Sequence, residues 1–200
     1  MSPSTDQIQK LRSITGAGIM DCKAALAYAK DDIEKAIQFL REKGIASAVK
    51  KAERVAKQGM VYSYIHAGGK LGVIVEINCE TDFVARTEDF QKLAKEIAMQ
   101  IAAANPLYIK REDVPGDVLE KEKEIYRAQL KEEKKPENVW EKIAAGKLEK
   151  FYSQVCLLDQ PYIRDSSGKE KVKDLITNAV AKIGENIVVR RFSRFVLGEY

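Results

Sequence analysis

A change in the spacing of apolar residues near position 60 does most to constrain the fold. Up to that point apolar residues recur at helical intervals, whereas "MVYSYIH", "AGGK" and "LGVIVEIN" are two β-prone runs around a glycine pair. This pattern predicts a β-hairpin in which Val73, Val75 and Ile77 share the core face. Helices and strands then mix without a βαβ rhythm. The sequence therefore predicts an α+β fold, with an antiparallel sheet flanked by helices.

The segment before the hairpin begins with two short predicted helices. Ser4 and Gln7 have the spacing of a capping box, which favours a first helix over residues 4–14. The glycines of "TGAG" provide a tight corner, and a second helix is expected over residues 19–29.

A third helix completes a predicted three-helix module. The capping residues of "DDIE" open this helix over residues 33–43, and we expect it to stop at Gly44. A separate basic helix over residues 46–58 is expected to connect the module to the hairpin and to end at Gly59. Such a module is small and is marginally stable alone.

The remainder of the chain predicts a larger α+β domain. An apolar stripe favours a helix over residues 87–104, and the charge-dense residues 112–135 predict a solvated helix or a hinge. The terminal "GENIVVRRFSRFVLGEY" has the composition of a long strand. We divide the chain into residues 1–56, the three helices and the connecting helix, and residues 57–200, the α+β core domain.

Composition and charge exclude several classes of protein. A hydrophobic fraction of 45%, a charged fraction of 32% and a net charge of +4 are typical of a folded chain without a concentrated basic excess. The N-terminus lacks the layout of a secretory signal, and no apolar run is long enough to cross a membrane. Three distant cysteines without a CxxC pair indicate reduced thiols. We therefore expect a cytoplasmic protein with no membrane partner.

Few residues in this sequence could carry covalent chemistry. There is no phosphate-binding loop, and His66 is the only histidine, with nothing at metal-ligand spacing around it. The sequence therefore predicts no enzyme, no metal and no cofactor.

The basic and aromatic "RRFSRF" leaves two interpretations open. Its side chains could track phosphates and stack on bases, or the arginines could pair with neighbouring acidic helices while the phenylalanines alternate into the core. The small net charge favours the second interpretation, so no direct nucleic-acid binding is expected.

The segment "CETDFVAR" places an aromatic residue in a charged strand-to-helix turn. Phe83 and Val84 are flanked by Glu80, Asp82 and Arg86. Phe83 could fold back as a cap on the core, or it could point outward toward a partner. Local pattern does not decide between the two.

Four segments together resemble the bacterial translation elongation factor Ts family. They are "LRSITGAGIMDCKAAL", "DIEKAIQFLREKGIASAVKKAERVAKQG", "GKLGVIVEINCETDFVAR" and "KIGENIVVRRFSRFVLGE", in order from residue 11 to the C-terminus. The resemblance implies a guanine-nucleotide exchange factor for elongation factor Tu, which loosens GDP and its Mg²⁺ and makes or breaks no covalent bond. In such an exchange, GDP and the exchange factor are two ligands of elongation factor Tu, and each weakens the binding of the other.

The resemblance also implies which residues meet the partner. The intruding element of the family corresponds to Thr81, Asp82, Phe83 and Val84, and Phe83 is expected to wedge into the partner's nucleotide domain. Outward display of Phe83 is then favoured over packing into the core.

The N-terminal helices resemble the family's ubiquitin-associated-like module, which docks on the nucleotide domain of the GTPase. The corresponding contact residues are Arg12, Ile19, Met20 and Lys23. Burial in the module's own core is the alternative for these four, above all for Ile19.

Length and resemblance to the family's short form further imply a homodimer, in which a second protomer supplies the other half of the core. Two other functions compete with nucleotide exchange. One is an RNA- or ribosome-associated α+β binding protein that uses the basic helix and "RRFSRF". The other is an enzyme centred on His66 or Cys79.

Overall fold

The computed structural model describes residues 3–133 and 136–199. Within them a three-stranded antiparallel sheet accompanies eight α-helices, which confirms the α+β prediction. The helices are α1 (Thr5–Thr15), α2 (Ile19–Tyr28), α3 (Ile33–Lys51), α4 (Asp82–Ala85), α5 (Glu88–Ala104), α6 (Gly116–Glu132), α7 (Trp140–Val155) and α8 (Val172–Ile183). The strands are β1 (Gln58–Ile65), β2 (Leu71–Cys79) and β3 (Val188–Val196), in the order β1-β2-β3. Residues 134–135, at the end of the predicted charged helix, and Tyr200 lie outside the described residues.

Helices α1, α2 and α3 contact one another and form the predicted three-helix module. The capping box is present, because the Ser4 side chain accepts from the Gln7 amide and the Gln7 side chain accepts from the Ser4 amide. Gly16 ends α1 in the left-handed region, with φ of 67°. The module's buried residues are Leu11, Cys22, Ala25, Leu26, Ala29 and Ala36. Small side chains dominate this core, so the three helices lie close together.

The prediction that Gly44 stops the third helix is wrong. Helix α3 begins after the N-cap Asp32, whose side chain accepts from the Lys35 amide, and it continues through Gly44 to Lys51. A Cβ atom at Gly44 would lie 3.3 Å from the Cβ of Ala181 on α8. Gly44 therefore allows a close approach between two helices, a role that a local pattern cannot distinguish from a helix stop.

The separate connecting helix over residues 46–58 is also wrong. Its first residues belong to α3, and Gln58 and Gly59 already belong to β1. Gly59 has φ of 138°, and a Cβ atom there would overlap the Ile77 carbonyl oxygen and lie 2.7 Å from the Asn78 Cα. This glycine is needed where β1 lies close to β2, and it does not end a helix.

The predicted hairpin and the helix after it are confirmed. Strands β1 and β2 are adjacent, and the His66 amide donates to the Leu71 carbonyl at 2.9 Å across the turn. Val73, Val75 and Ile77 are buried. The predicted apolar stripe of α5 is buried as well: Phe90, Leu93, Ala94, Ile97 and Ile101. One face of β2 and one face of α5 therefore supply core residues.

The other face of the sheet carries exposed apolar side chains. Ile74 alternates with buried neighbours on β2, and the Ile65 side chain lies over Gly72 of the same face. The Leu197 amide donates to the Lys70 carbonyl at 2.8 Å, so Phe195 lies opposite Gly72. We call Ile65, Ile74, Phe195 and Leu197 the open sheet face. All four are exposed.

Contacts between residues divide the chain into two compact units. The first comprises Met1–Tyr62, Glu76–Lys95 and Asp174–Val189, and the second comprises Ser63–Val75, Glu96–Lys173 and Arg190–Tyr200. The first contains the three-helix module, α4 and most of α8, and the second contains the open sheet face. The predicted domain boundary between residues 56 and 57 stays a prediction, because units defined by contacts do not report on independent folding.

Candidate partner-binding site

The turn between β2 and α5 is a single helical turn, α4. Thr81 is its N-cap, with extended backbone angles of −125° and 153°, and the Thr81 Oγ1 accepts from the Val84 amide at 3.4 Å. Ala85 is buried at the other end, and Arg86 donates to the Asp82 carboxylate at 2.8 Å. Thr81 and Asp82 therefore have local structural tasks in addition to any contact with a partner.

The Phe83 side chain points away from the protein. It is 77% exposed, whereas Val84 is half-buried. A ring that capped the core would be largely buried, so the core-cap interpretation is wrong. An exposed aromatic side chain on an ordered turn is available as an anchor for a partner.

The carboxylate of Glu185, which is distant in sequence, binds the start of this turn. Glu185 Oε2 accepts from the amides of Glu80 and Thr81, both at 3.0 Å, and Glu185 Oε1 accepts from the Thr81 hydroxyl at 2.6 Å. Glu185 lies between α8 and β3, 104 residues from Thr81 in the sequence. We call this set of bonds the Glu185 clamp. The sequence does not predict it, because no spacing pattern links such distant positions.

Neighbouring residues extend the clamp to the end of α3. The Asn186 amide donates to the Glu80 carboxylate at 2.7 Å, and its side-chain nitrogen donates to the carbonyl oxygens of Ala52 and Arg54. Arg54 also pairs with Glu80 at 3.6 Å. The motif "GEN" in the segment "KIGENIVVRRFSRFVLGE", which carries part of the family resemblance, contains both Glu185 and Asn186 and is the one signal of these bonds in the sequence.

Cys79 supports the same turn from the strand side. Its buried Sγ donates to the Thr81 carbonyl at 3.1 Å. Burial, together with the nearby Glu185 carboxylate, raises the pKa of Cys79 to about 11. The thiol therefore keeps its proton at neutral pH, which suits a hydrogen-bond donor and does not suit a nucleophile.

The four predicted contact residues of the module lie on its surface. Arg12, Ile19, Met20 and Lys23 are all exposed, including Ile19. The alternative, burial in the module core, is therefore wrong for these four residues, and Leu11 and Cys22 occupy the core positions beside them. Their contact with a partner stays a prediction.

The structure gives little support to chemistry at His66. Its ring is exposed and shares a 2.9 Å hydrogen bond with the Tyr64 hydroxyl. Across the described ranges 3–133 and 136–199, no group of three or more histidine, cysteine or carboxylate side chains could hold a metal. The two residues of the enzyme alternative, His66 and Cys79, are thus an exposed hydrogen-bonded ring and a protonated buried thiol.

The terminal strand differs from the interpretation favoured for "RRFSRF". Phe192 is half-buried, but Phe195 is 64% exposed, so the phenylalanines do not both enter the core. They are three positions apart and so lie on opposite faces of a strand. Arg194 bonds the Ala102 carbonyl and the nearby Glu199, at 3.3 Å each.

In the part of the chain that the structure describes, no helix is both long and apolar enough to cross a membrane.

The turn thus combines an exposed aromatic ring with a backbone that is held by hydrogen bonds to Glu185. The family model for elongation factor TS matches residues 9–169. Relatives named elongation factor Ts from Anaeromyxobacter sp. (strain K) and Caldanaerobacter subterraneus subsp. tengcongensis are each 61% identical over 196 residues. The match covers 98% of this chain in both cases, 89% of the first relative and 97% of the second.

A third elongation factor Ts, from Carboxydothermus hydrogenoformans, is 59% identical over 98% of this chain and 89% of its own length. These matches place the protein among the translation elongation factors. The chain belongs to the elongation factor Ts family. Its role is therefore in protein biosynthesis.

Proposed function

We propose that this protein is a guanine-nucleotide exchange factor for elongation factor Tu and that Phe83 is its intruding side chain. Membership of the elongation factor Ts family supports the partner and the exchange reaction. The single observation that supports the mechanism is the exposure of Phe83 on an anchored turn. The reaction is a non-covalent exchange, and the proposed compartment is the cytoplasm, where elongation takes place.

The proposed mechanism uses the burial of Phe83 in the partner to disturb the partner's nucleotide site. Burying a phenylalanine side chain releases about 1.5–3 kcal/mol, and this energy offsets displacement of the elements that hold Mg²⁺ and the phosphates. GDP then binds more weakly, and by thermodynamic reciprocity GDP weakens the binding of the exchange factor by the same factor. Exchange therefore requires that the protein prefer the nucleotide-free partner.

The three-helix module contributes a second contact in this proposal. Arg12, Ile19, Met20 and Lys23 lie on its surface, and the methionine can adapt to an uneven partner surface. Docking by the module holds the protein on the partner while Phe83 acts. Loss of a module contact should therefore weaken binding more than it slows GDP release from the complex.

A homodimer is the third element of the proposal. The open sheet face presents Ile65, Ile74, Phe195 and Leu197 to solvent. Antiparallel sheets often have one solvated face, but that face usually carries polar residues. A second copy of the chain that placed its own open sheet face against this one would bury all eight side chains in an isologous contact.

The decisive experiment follows the release of a fluorescent GDP analogue from elongation factor Tu in the presence of excess GDP. The intact protein should accelerate release, and Phe83→Ala should lose most of the acceleration, by about 10- to 100-fold for the lost burial energy. Its free energy of unfolding should change by less than about 0.5 kcal/mol, because the ring is exposed. Leu107→Ala is the matched control, because Leu107 is a large apolar residue that is 63% exposed elsewhere on the protein.

Each outcome of this experiment has a definite meaning. Equal acceleration by the intact protein and Phe83→Ala would place the mechanism outside the turn, in the module. An equal loss in Leu107→Ala would show that surface apolarity in general is what matters. If the intact, folded protein accelerated nothing, the exchange function would be refuted and binding to RNA would be tested next, through its salt dependence.

A further inference from the structure

We propose that Glu185 is a positioning residue for nucleotide exchange, because its carboxylate fixes the direction in which Phe83 leaves the protein. This role rests on the proposed function of the turn, and it gives a task to a residue outside the matched range 9–169 of the family model. The bonds to Glu185 come from the backbone and the hydroxyl of the turn, so the carboxylate acts on the ring through Thr81.

Helix α4 cannot hold its own shape. Four residues, Asp82–Ala85, form a single turn, and isolated helices much longer than this are marginal in water. The ring of Phe83 is largely surrounded by solvent, so it contributes little to anchoring the turn. The direction of the ring must therefore come from the backbone on which it sits.

The Glu185 clamp supplies that direction at the first residue of the turn. Two main-chain amides and one hydroxyl donate to a single carboxylate, and hydrogen bonds to an ionised acceptor are about twice as strong as neutral ones. The 2.6 Å bond from the Thr81 hydroxyl also fixes the position of its hydrogen. A lone pair of the Thr81 oxygen is then left to accept from the Val84 amide.

The result is a continuous chain of hydrogen bonds from Val84 through Thr81 to Glu185. The hydrogen bonds in a chain of this kind strengthen one another, because each bond polarises the next. Phe83 lies in the sequence between Thr81, the N-cap of α4, and Val84, the two residues of the turn that this chain joins. Loss of the carboxylate would leave the amides of Glu80 and Thr81 without this acceptor and would release the N-cap.

Substitution of Glu185 should separate binding of the partner from its activation. Glu185→Ala keeps the Phe83 ring and the module residues, so the concentration that gives half-maximal acceleration should change by less than about threefold. The maximal rate of GDP release should fall about tenfold, because a ring without a fixed direction spends less time in the productive geometry. A residue that only stabilised the fold would not produce this split.

The conservative substitution Glu185→Gln should restore most of the maximal rate. Its amide oxygen can accept from both main-chain amides, and its nitrogen can donate to the Thr81 oxygen after the hydroxyl rotates. Lys182→Ala is the matched control, because it removes the 2.6 Å ion pair with Asp89 from the same helix end without touching Thr81. Its maximal rate should equal that of the wild type.

A second measurement tests the Glu185 clamp directly, in the full-length protein without elongation factor Tu. Amide hydrogen exchange at Glu80 and Thr81, followed by NMR, should become at least about tenfold faster in Glu185→Ala. It should stay within about twofold of the wild type in Glu185→Gln and Lys182→Ala. Glu185→Asp, which withdraws the carboxylate by one methylene, is the second variant if Glu185→Ala does not fold, and faster exchange is expected there as well.

The two measurements distinguish the positioning role from the proposed function. If the wild type accelerates GDP release but a folded Glu185→Ala has an unchanged maximal rate, the positioning role is refuted. Unchanged amide exchange at Thr81 in the folded Ala and Asp variants refutes it as well. If the wild type accelerates nothing while Thr81 exchange quickens as expected, the exchange function has failed and so has any role of Glu185 in it, although the clamp itself stands.

Discussion

Replacement of Gly59 by alanine adds one methyl group where β1 lies against β2. The added Cβ would overlap the Ile77 carbonyl oxygen and lie 2.7 Å from the Cα of Asn78. Both obstacles are main-chain atoms of a buried strand, so they cannot move aside as a flexible side chain would. The φ of 138° at Gly59 is also one that residues with a side chain rarely adopt. We therefore expect Gly59→Ala to be strongly destabilising.

The expected cost has two parts. An unfavourable φ costs about 1–3 kcal/mol, and forcing a methyl group into a packed site costs about 1–3 kcal/mol more. Gly59 is the second residue of β1, so the strand end can partly peel away and give up the bond from the Asn78 side chain to the Gln58 carbonyl. We expect a net loss of about 3 kcal/mol, a large share of the usual 5–15 kcal/mol of a folded domain.

Urea denaturation of the purified variants measures this loss as a lower midpoint with an unchanged slope. Gly146→Ala is the control, because Gly146 lies inside α7 and an added Cβ would meet nothing within 4 Å. The same chemical change should there stabilise the protein by about 0.5–1 kcal/mol, since alanine is the better helix former.

A free energy of unfolding for Gly59→Ala within about 0.5 kcal/mol of the wild-type value would refute this prediction, provided that Gly146→Ala is stabilised as expected. In that case β1 and β2 would have to move apart at little cost. An equal destabilisation by both substitutions would point instead to a general intolerance of alanine and would also contradict the geometry.

Two further predictions concern an ion pair and the proposed dimer. Arg111 forms two 2.8 Å bonds to the nearly buried Asp159 and holds the pKa of that carboxyl below its usual value. Arg111→Met should therefore cost about 2 kcal/mol at pH 7, a figure kept low because Lys171 and Lys173 remain within 4 Å of Asp159. Since a lowered folded-state pKa stabilises above the unfolded value near 4, the difference between the two proteins in urea titrations should begin to shrink as pH falls through about 4. It should vanish only once the pH lies below the lowered pKa of Asp159 in the folded protein. Ile74→Asp, on the open sheet face, should shift the protein from dimer to monomer in sedimentation velocity; a wild type that is already monomeric at about 50 μM would contradict the dimer.

Features defined by nearby residues could be predicted from the sequence. The capping box at Ser4 and Gln7, the hairpin and the buried stripe of α5 are each set by spacings within one element, and the structure confirms them. Such elements form in the same way in different proteins, because their backbone hydrogen bonds and apolar faces depend on residues close in sequence.

Features that depend on a distant neighbour could not be predicted in this way. The local pattern predicts a helix end at Gly44, because no nearby residue indicates that α8 approaches it. Family resemblance favours outward display of Phe83, but the carboxylate that anchors its turn lies 104 residues from Thr81. Glycine and glutamate serve many purposes, and only the folded chain shows which one applies at a given position.

The exposed side chains of the open sheet face also make the strength of any contact at this face depend on temperature. Water around apolar groups has a high heat capacity, so covering Ile65, Ile74, Phe195 and Leu197 lowers the heat capacity of the system. The attraction that results is largely entropic near 25 °C and weakens on cooling. Whatever covers this face is therefore held more loosely in the cold and more firmly at moderately higher temperature.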